Sequence, residues 1–566
     1  MKIFHLHFIW FVTFLCMTIV AIISTLLLSH FSISIHLSIN LFSVWSLPMH
    51  VSFLFDWISV SFIRVVLIIS SIIMIYSYNY IAPYRKSTYF LWLTVLFVLS
   101  ILLVIRMSNL FFAILGWDGL GLISFFLIVY YQNQSSIVSG IFTLLINRLG
   151  DRFFLFRLVI IFYYYPDFTS FSSNIRIFSL RLILLLTFMT KRALYPFSPW
   201  LPIAIAAPTP ISALVHSSTL VTAGLYLIMR FSYLFYSSPE VMKLLICISI
   251  FTSFYAGINT IFEIDLKKLI ALSTLRHLGF IAIAFSSGLL HLAFFHLLVH
   301  ALFKSLLFIT IGDIIININH SQDIRYLSKG SVYTPFSSII INISIINLVG
   351  VPNVRGYFSK DLILEAMNFN NSSLFIIFVI YLNVIFTYYY SYKLFFFSFQ
   401  SVKLNRYQLF HSPYLTHSLL MIILRVFTLL FSTFFMNHLF RFILFYFIVP
   451  TVKFLPLFLN TSLFIYLVLI LVLPTVKLKK PFAFFSSMMF LRNIMITFSS
   501  HLYLTYLFNS VKRLEIGFLN YSMNSMPSEY MKAVNSFIYS SLFKVQNIRF
   551  IFTLSFFFIF LFSLVS

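Results

Sequence analysis

The sequence predicts an all-α membrane protein, a polytopic bundle of about 16 transmembrane helices. Three observations carry that reading. The 566 residues are 61% hydrophobic and 9% charged, whereas soluble domains carry about a quarter charged residues. Apolar stretches recur from end to end, each long enough to cross about 30 Å of hydrocarbon. The stretches are continuous and lack a period of two. Because lipid offers backbone groups no partners, such runs must close their hydrogen bonds as helices and not as a barrel.

The first stretch, 5–28, follows Lys2 and has no small-residue cleavage site after it, so it reads as a membrane helix and not a removable signal. Others lie at 52–78, 88–107, 109–131, 137–165, 174–195, 203–232, 242–260, 266–287, 289–315, 335–352, 361–399, 415–449, 453–475, 484–508 and 549–566. The region 509–548 differs: Lys512, Arg513, Glu515, Glu529, Lys532 and Lys544 alternate with Met, Phe, Ile and Tyr. That mixture suits an amphipathic helix lying along the membrane, or else a polar loop. Proline interrupts two stretches. One break runs from Lys191 through Pro196, Pro199 and Pro202; the other is Gly350-Val351-Pro352, followed by Gly356 and Lys360. Proline removes a helix donor, and paired broken helices in two halves of a membrane protein point to a transport site.

The net charge of +24 does not indicate nucleic acid, because the 37 Lys and Arg are scattered between apolar runs. Arg85-Lys86 and Lys477 with Lys479-Lys480 read as anchors beside the membrane. Two cysteines, Cys16 and Cys247, support neither a disulfide framework nor a thiolate cluster. With 74 Phe and 32 Tyr against 14 Gly, the composition fits biased codons and synthesis inside an organelle.

Only 13 residues are acidic. Asp118 falls inside the apolar run 109–131, where a carboxylate costs at least about 2.5–3.5 kcal/mol unless it faces a partner or an interface. Arg148 and Asp151, three apart, share a helix face and can pair with each other, as a structural ion pair or as part of a relay. His216 follows Pro208 and Pro210. His296, His300 and Lys304 recur every four residues, forming one polar stripe on an apolar helix. No Glu or Cys completes a zinc set there, so no metal is expected. Lysines and histidines a few ångströms apart can pass protons through intervening water. Asp118 with Lys191 is the expected pair in the first half, and Lys304 with Lys360 the expected relay in the second.

At these residues the chain resembles the subunit 5 family of mitochondrial NADH:ubiquinone oxidoreductase, the antiporter-like subunits of respiratory complex I. The stretches that carry the resemblance are GWDGLGLISFFLI at 116–128, NRLGD at 147–151, PWLPIAIAAPTPISALVHSSTLVTAGLYLI at 199–228, DLKKLIALSTL at 265–275, HLAFFHLLVHALFKSLLF at 291–308, QDIRYL at 322–327 and GYFSKDLILE at 356–365. It implies two inverted five-helix repeats with broken helices and a lateral helix before the last span. The corresponding divisions are 1–108, a first repeat at 109–232, a second at 233–400, further spans at 401–508, the lateral helix at 509–548 and a final span at 549–566. It also implies roles. Asp118 and Lys191 match the family's acid–lysine pair, His216, His296 and His300 its axial histidines, Lys304 its second-half lysine, and Lys360 with Asp361 the outlet pair. Arg148 and Asp151, with Asp265 and Lys267, match supporting charges. Three positions depart from the family: Asp118 replaces a longer Glu, Leu194 a frequent Gln, and Arg276-His277 a common Ser-Gln.

The expected function is proton translocation in the mitochondrial inner membrane, driven by NADH-to-ubiquinone electron transfer in other subunits. The sequence has no dinucleotide glycine pattern, so no cofactor is expected on this chain. Expected partners are other membrane-arm subunits, lipid, protons and water, with no nucleic acid. Two alternatives stand: a free-standing multi-subunit cation/proton antiporter, and a scaffold whose buried charges only join helices.

Overall fold

A computed structural model describes residues 2–44, 47–81, 87–164, 175–318, 321–327, 334–350, 355–369, 374–399 and 417–428, with Phe458 and Ser462. The chain divides into two compact units, Met1–Met489 and Phe490–Ser566, and all described residues belong to the first. The expected lateral helix, the final span and most of 401–508 lie outside the described residues.

The described chain is helical apart from one hairpin. The helices are α1 (Lys2–Phe31), α2 (Trp57–Ile81), α3 (Ser87–Arg106), α4 (Leu110–Ile128), α5 (Gln134–Tyr164), α6 (Ile175–Arg192), the short α7 (Trp200–Ile203) and α8 (Thr209–Ile211), α9 (Leu220–Arg230) and α10 (Ser232–Tyr236). They continue as α11 (Pro239–Phe262), α12 (Leu266–Ser286), α13 (Leu290–Asn317), α14 (Pro335–Val349), α15 (Arg355–Phe369), α16 (Leu374–Phe399) and α17 (His417–Thr428). Among the described residues, eight helices are long and apolar enough to cross a membrane. The chain is therefore a multi-pass membrane protein.

One correction concerns residues 35–55. Strands β1 (Ile35–Val44) and β2 (Leu47–Phe55) pair antiparallel, with Ile35 opposite Phe55 and an irregularity between Asn40 and Phe42. Ile35, Leu37 and Ile39 alternate with His36, Ser38 and Asn40, a period-two signal short enough to be lost among the long runs. Within β2, Ser52 O accepts from Ser108 N at 3.1 Å, which ties the hairpin to the segment just before α4. The run expected at 52–78 therefore begins as a strand. Its helix starts at Trp57, where Asp56 Oδ1 accepts from Ser59 N at 2.9 Å and Ser59 Oγ accepts from Asp56 N at 3.0 Å, a reciprocal cap.

The run 203–232, which supplies the candidate span Thr209–Arg230, is not one regular helix. Pro208 and Pro210 interrupt it, and Ser212–Thr219 form a π-helix before α9. Ser218 and Thr219 donate to Leu214 O at 2.9 and 2.7 Å. Local π-turns and hydroxyl side chains re-satisfy backbone groups that proline frees inside a membrane. Likewise 361–399 divides into α15 and α16.

α13 is the hub. It packs against α12, the π-helix, α14 and α15, with α2 behind it. Most of its residues are buried, which is why it is mostly apolar all round apart from the stripe of His296, His300 and Lys304 and a few polar residues toward its end. At the second break α14 ends on Gly350 in the left-handed conformation, φ 81°, a cap that costs glycine nothing. Gly356, at the start of α15, then lies so close to α14 that an added Cβ would sit 1.6 Å from Asn347 O. Gly356→Ala must push α15 away from α14, and such overpacking costs about 1–3 kcal/mol or more. The expected result is a lower melting temperature of the assembled protein and less of it in the membrane.

Candidate functional site

Three helices build the first group of charges. Trp117 and Asp118 come from α4, Arg148 and Asp151 from α5, and Lys191 from the end of α6. Gly150 sets the helix spacing, since a Cβ there would meet Thr190 Oγ1 at 2.0 Å. Lys191, fully buried, donates through Nζ to the Trp117 carbonyl oxygen and lies 4.0 Å from the centroid of that indole. Its Nζ is also 3.8 Å from Asp151 Oδ1. Arg148 reaches Asp118 at 2.6 Å and Asp151 at 3.5 Å.

The expected direct pair of Asp118 with Lys191 is therefore replaced. Asp118 takes Arg148, and Lys191 has Asp151 as its neighbouring carboxylate. The side chains of Asp118 and Arg148 are both 37% exposed, while that of Asp151 is 11% exposed. The short Asp118 carboxylate stays at the flank, and α5 supplies the inner acid. The four groups nonetheless form one connected network.

His216 sits within the π-helix, its ring 6.3 Å from that of Trp200. The turn that carries it is irregular, so neither its orientation nor its neighbours could be drawn from helical spacing.

The second group spans α12, α13, α15 and α16. Lys304 Nζ donates to Ser273 Oγ at 2.6 Å and lies 5.3 Å from the centroid of Tyr390. His296 Nδ1 bonds Ser359 Oγ at 3.0 Å. The next residue, Lys360, donates to Thr387 Oγ1 at 2.8 Å and Val349 O at 3.2 Å, with the Tyr388 ring at 4.7 Å. The α13 stripe and α15 are thus joined through His296 and Ser359. Asp361, also buried, accepts from the Tyr357 hydroxyl. All of His296, His300, Lys304 and Lys360 are buried.

Asp265 and Lys267 stand apart from these groups. Asp265 opens α12 and pairs with Lys268 at 2.6 Å, on the partly exposed flank, while Lys267 is buried and makes no ion pair among the described residues. Several polar neighbours went unread in the sequence: Ser273, Thr387 and Tyr390 around the lysines, the Asp56–Arg230 ion pair, and Asp313 with His417 at 3.0 Å. For Asp56 and Arg230, 174 residues apart, no local pattern exists. An acid within the 289–315 run was a usable signal for Asp313.

The family model described as "NADH:quinone oxidoreductase/Mrp antiporter, TM" matches residues 107–387, which contain all the groups above except Asp56, Tyr388, Tyr390 and His417. NADH-ubiquinone oxidoreductase chain 5 of Locusta migratoria is 42% identical over 373 residues, covering 63% of this chain and 64% of that one. The chain 5 sequence of Anopheles arabiensis is 43% identical over 347 residues, covering 60% of this chain and 90% of that one. The match thus spans just under two thirds of the length of relatives such as the locust chain. Among solved structures, the Mrp complex from Dietzia sp. DQ12-45-1b superposes with a TM-score of 0.65 at 20% identity, over 89% of this chain and 59% of that one. An archaeal membrane-bound sulfane sulfur reductase superposes with a TM-score of 0.66 at 20% identity, over 81% of this chain and 91% of that one. Those two likenesses concern the fold, whereas the sequence matches reach further: this chain belongs to the NADH-ubiquinone oxidoreductase chain 5 family.

Proposed function

We propose that the chain is a proton-translocating subunit in the membrane arm of a mitochondrial, inner-membrane NADH:ubiquinone oxidoreductase. Electron transfer would take place in other subunits, and this chain would move protons along its buried basic residues. The observation that carries the reading is the row of buried cations and imidazoles, Lys191, His216, His296, His300, Lys304 and Lys360, across helices that otherwise bury apolar side chains. Ionisable groups at membrane depth are expensive, and where they persist they usually mark ion or proton paths.

Both ring nitrogens of His300, and Nε2 of His296, have no protein hydrogen-bond partner among the described residues. Buried polar groups are nearly always paired by protein or water. Hydration of this stripe is the expected way to satisfy them, and a hydrated stripe conducts protons. Asp118, Arg148 and Asp151 would set the charge around Lys191 as Lys304, Lys360 and Asp361 exchange protons in the second half. The divisions 109–232 and 233–400 would then be the two repeats, each with one broken segment beside a lysine.

The partners would be other membrane-arm subunits and lipid. A free-standing cation/proton antiporter uses similar groups, so the decisive test is biochemical. Affinity purification of the tagged chain from mitochondria should recover NADH:ubiquinone reductase activity, and reconstituted vesicles should acidify with NADH. Recovery of the chain in a complex lacking that activity, with cation-driven proton exchange instead, favours the antiporter.

A further inference from the structure

A third imidazole lies among those of α13. His277, on α12, has its ring centroid 5.3 Å from that of His300 and 5.8 Å from that of His296, whereas His296 and His300 are 6.4 Å apart. The step through α12 is shorter at both ends than the step along α13. His277 is itself fixed. Arg276 NH2 donates to its Nε2 at 3.3 Å, and the Tyr390 hydroxyl lies 3.4 Å from the same nitrogen. Arg276 is buried, with its guanidinium carbon 4.7 Å from the Tyr390 ring centroid, and the same ring lies under Lys304.

Guanidinium has donors only and keeps its charge in proteins. An Arg276 N–H aimed at Nε2 requires a lone pair there, so His277 carries its single proton on Nδ1. In that state Nε2 cannot receive a proton. It becomes open only when Arg276 turns aside from the Tyr390 ring that holds it in place, 4.7 Å from the guanidinium carbon. The imidazole would then gain one proton at Nε2, pass on the one at Nδ1 and end neutral with its proton on Nε2, and the ring must turn over before Arg276 can donate to it again.

We propose that His277 is a relay group between His296 and His300, and that Arg276, held by Tyr390, is the positioning residue that latches it shut between transfers. This inference rests on the proton-translocating reading above and adds a gate to it.

The test uses the assembled complex reconstituted in vesicles, with two readouts: protons moved per NADH, and passive decay of an imposed pH gradient without NADH. His277→Phe keeps a ring in place of the imidazole but has no exchangeable proton, so protons per NADH should fall to the level of a Lys304→Met complex. Arg276→Ser should raise the passive leak severalfold, and Arg276→Lys, which keeps a charged donor, should bring it back toward the unmodified value. An unchanged leak in Arg276→Ser, or a normal proton yield in His277→Phe, overturns the proposal. If Arg276→Ser does not assemble, Tyr390→Phe decides: losing one hydroxyl should also raise the leak, and no rise overturns the latch. Lys304→Met separates the two levels. If it leaves the proton yield normal, the translocation reading itself fails; if it lowers the yield while the Arg276 and His277 variants behave normally, only the gate does.

Discussion

Replacing Lys304 with methionine should abolish proton movement through the second half of the chain while the complex still assembles. Lys304 is fully buried, donates to Ser273 and rests near the Tyr390 ring, and it takes part in none of the ion pairs among the described residues. Methionine keeps the unbranched stem and fills irregular core space well. It removes a group whose burial is costly, so no loss of stability is expected. What disappears is the only amine on the α13 stripe. Positioned acid–base groups contribute about 10²–10⁴-fold to proton transfer, so the flux through this half should fall by at least about 10²-fold. Vesicles with NADH and a pH-sensitive dye measure it as fewer protons per NADH. Lys304→Arg completes the argument. Arginine holds charge but does not release its proton, so a relay fails with it as well, whereas a purely structural cation would be replaced successfully. Normal pumping in Lys304→Arg contradicts the relay.

The helices were legible because the bilayer imposes a simple rule: a run that fits the hydrocarbon and closes its own hydrogen bonds must be helical. α3, α5, α12 and α13 begin and end within a few residues of the expected runs. The hairpin at 35–55 was missed because its alternating segment is short and sits between two strong helix signals. The π-helix at Ser212–Thr219 was missed because prolines mark where a helix breaks but not what replaces it. The site was legible for the same reason as the helices, since a charge inside an apolar run stands out. Partner choice was not legible. Asp118 takes Arg148, and His277 comes to lie beside His300, because of how α4, α5, α12 and α13 pack, and no spacing within one helix encodes that. Only groups on one helix declared their neighbourhood in the sequence: His296, His300 and Lys304 at intervals of four, and Arg148 with Asp151, which pair at 3.5 Å.

Asp151→Asn should damage assembly more than Asp118→Asn, and Lys191→Met should repair the damage without restoring pumping. The first part follows from geometry. Asp151 Oδ1 is the carboxylate oxygen 3.8 Å from the buried Lys191 Nζ, whereas Asp118 is bound to Arg148 at a flank. Removing one partner of a buried pair leaves an uncompensated charge, at a cost of about 3–5 kcal/mol. Removing Asp118 costs less, because Arg148 retains Asp151 at 3.5 Å and both Asp118 and Arg148 are partly exposed. The second part is a double-mutant argument. With Lys191→Met already in place there is no buried ammonium to neutralise, so adding Asp151→Asn should change little, and the two changes should be strongly non-additive. Complex content in the membrane and its melting temperature measure stability, and protons per NADH measure function. A cycle in which Asp118→Asn, not Asp151→Asn, couples to Lys191→Met would return Asp118 to the partner role first expected for it and assign Asp151 to Arg148 alone. Coupling to Asp151 would mean that the shortened acid on α4 has handed its lysine to α5, with Arg148 holding the two carboxylates in a single charge network.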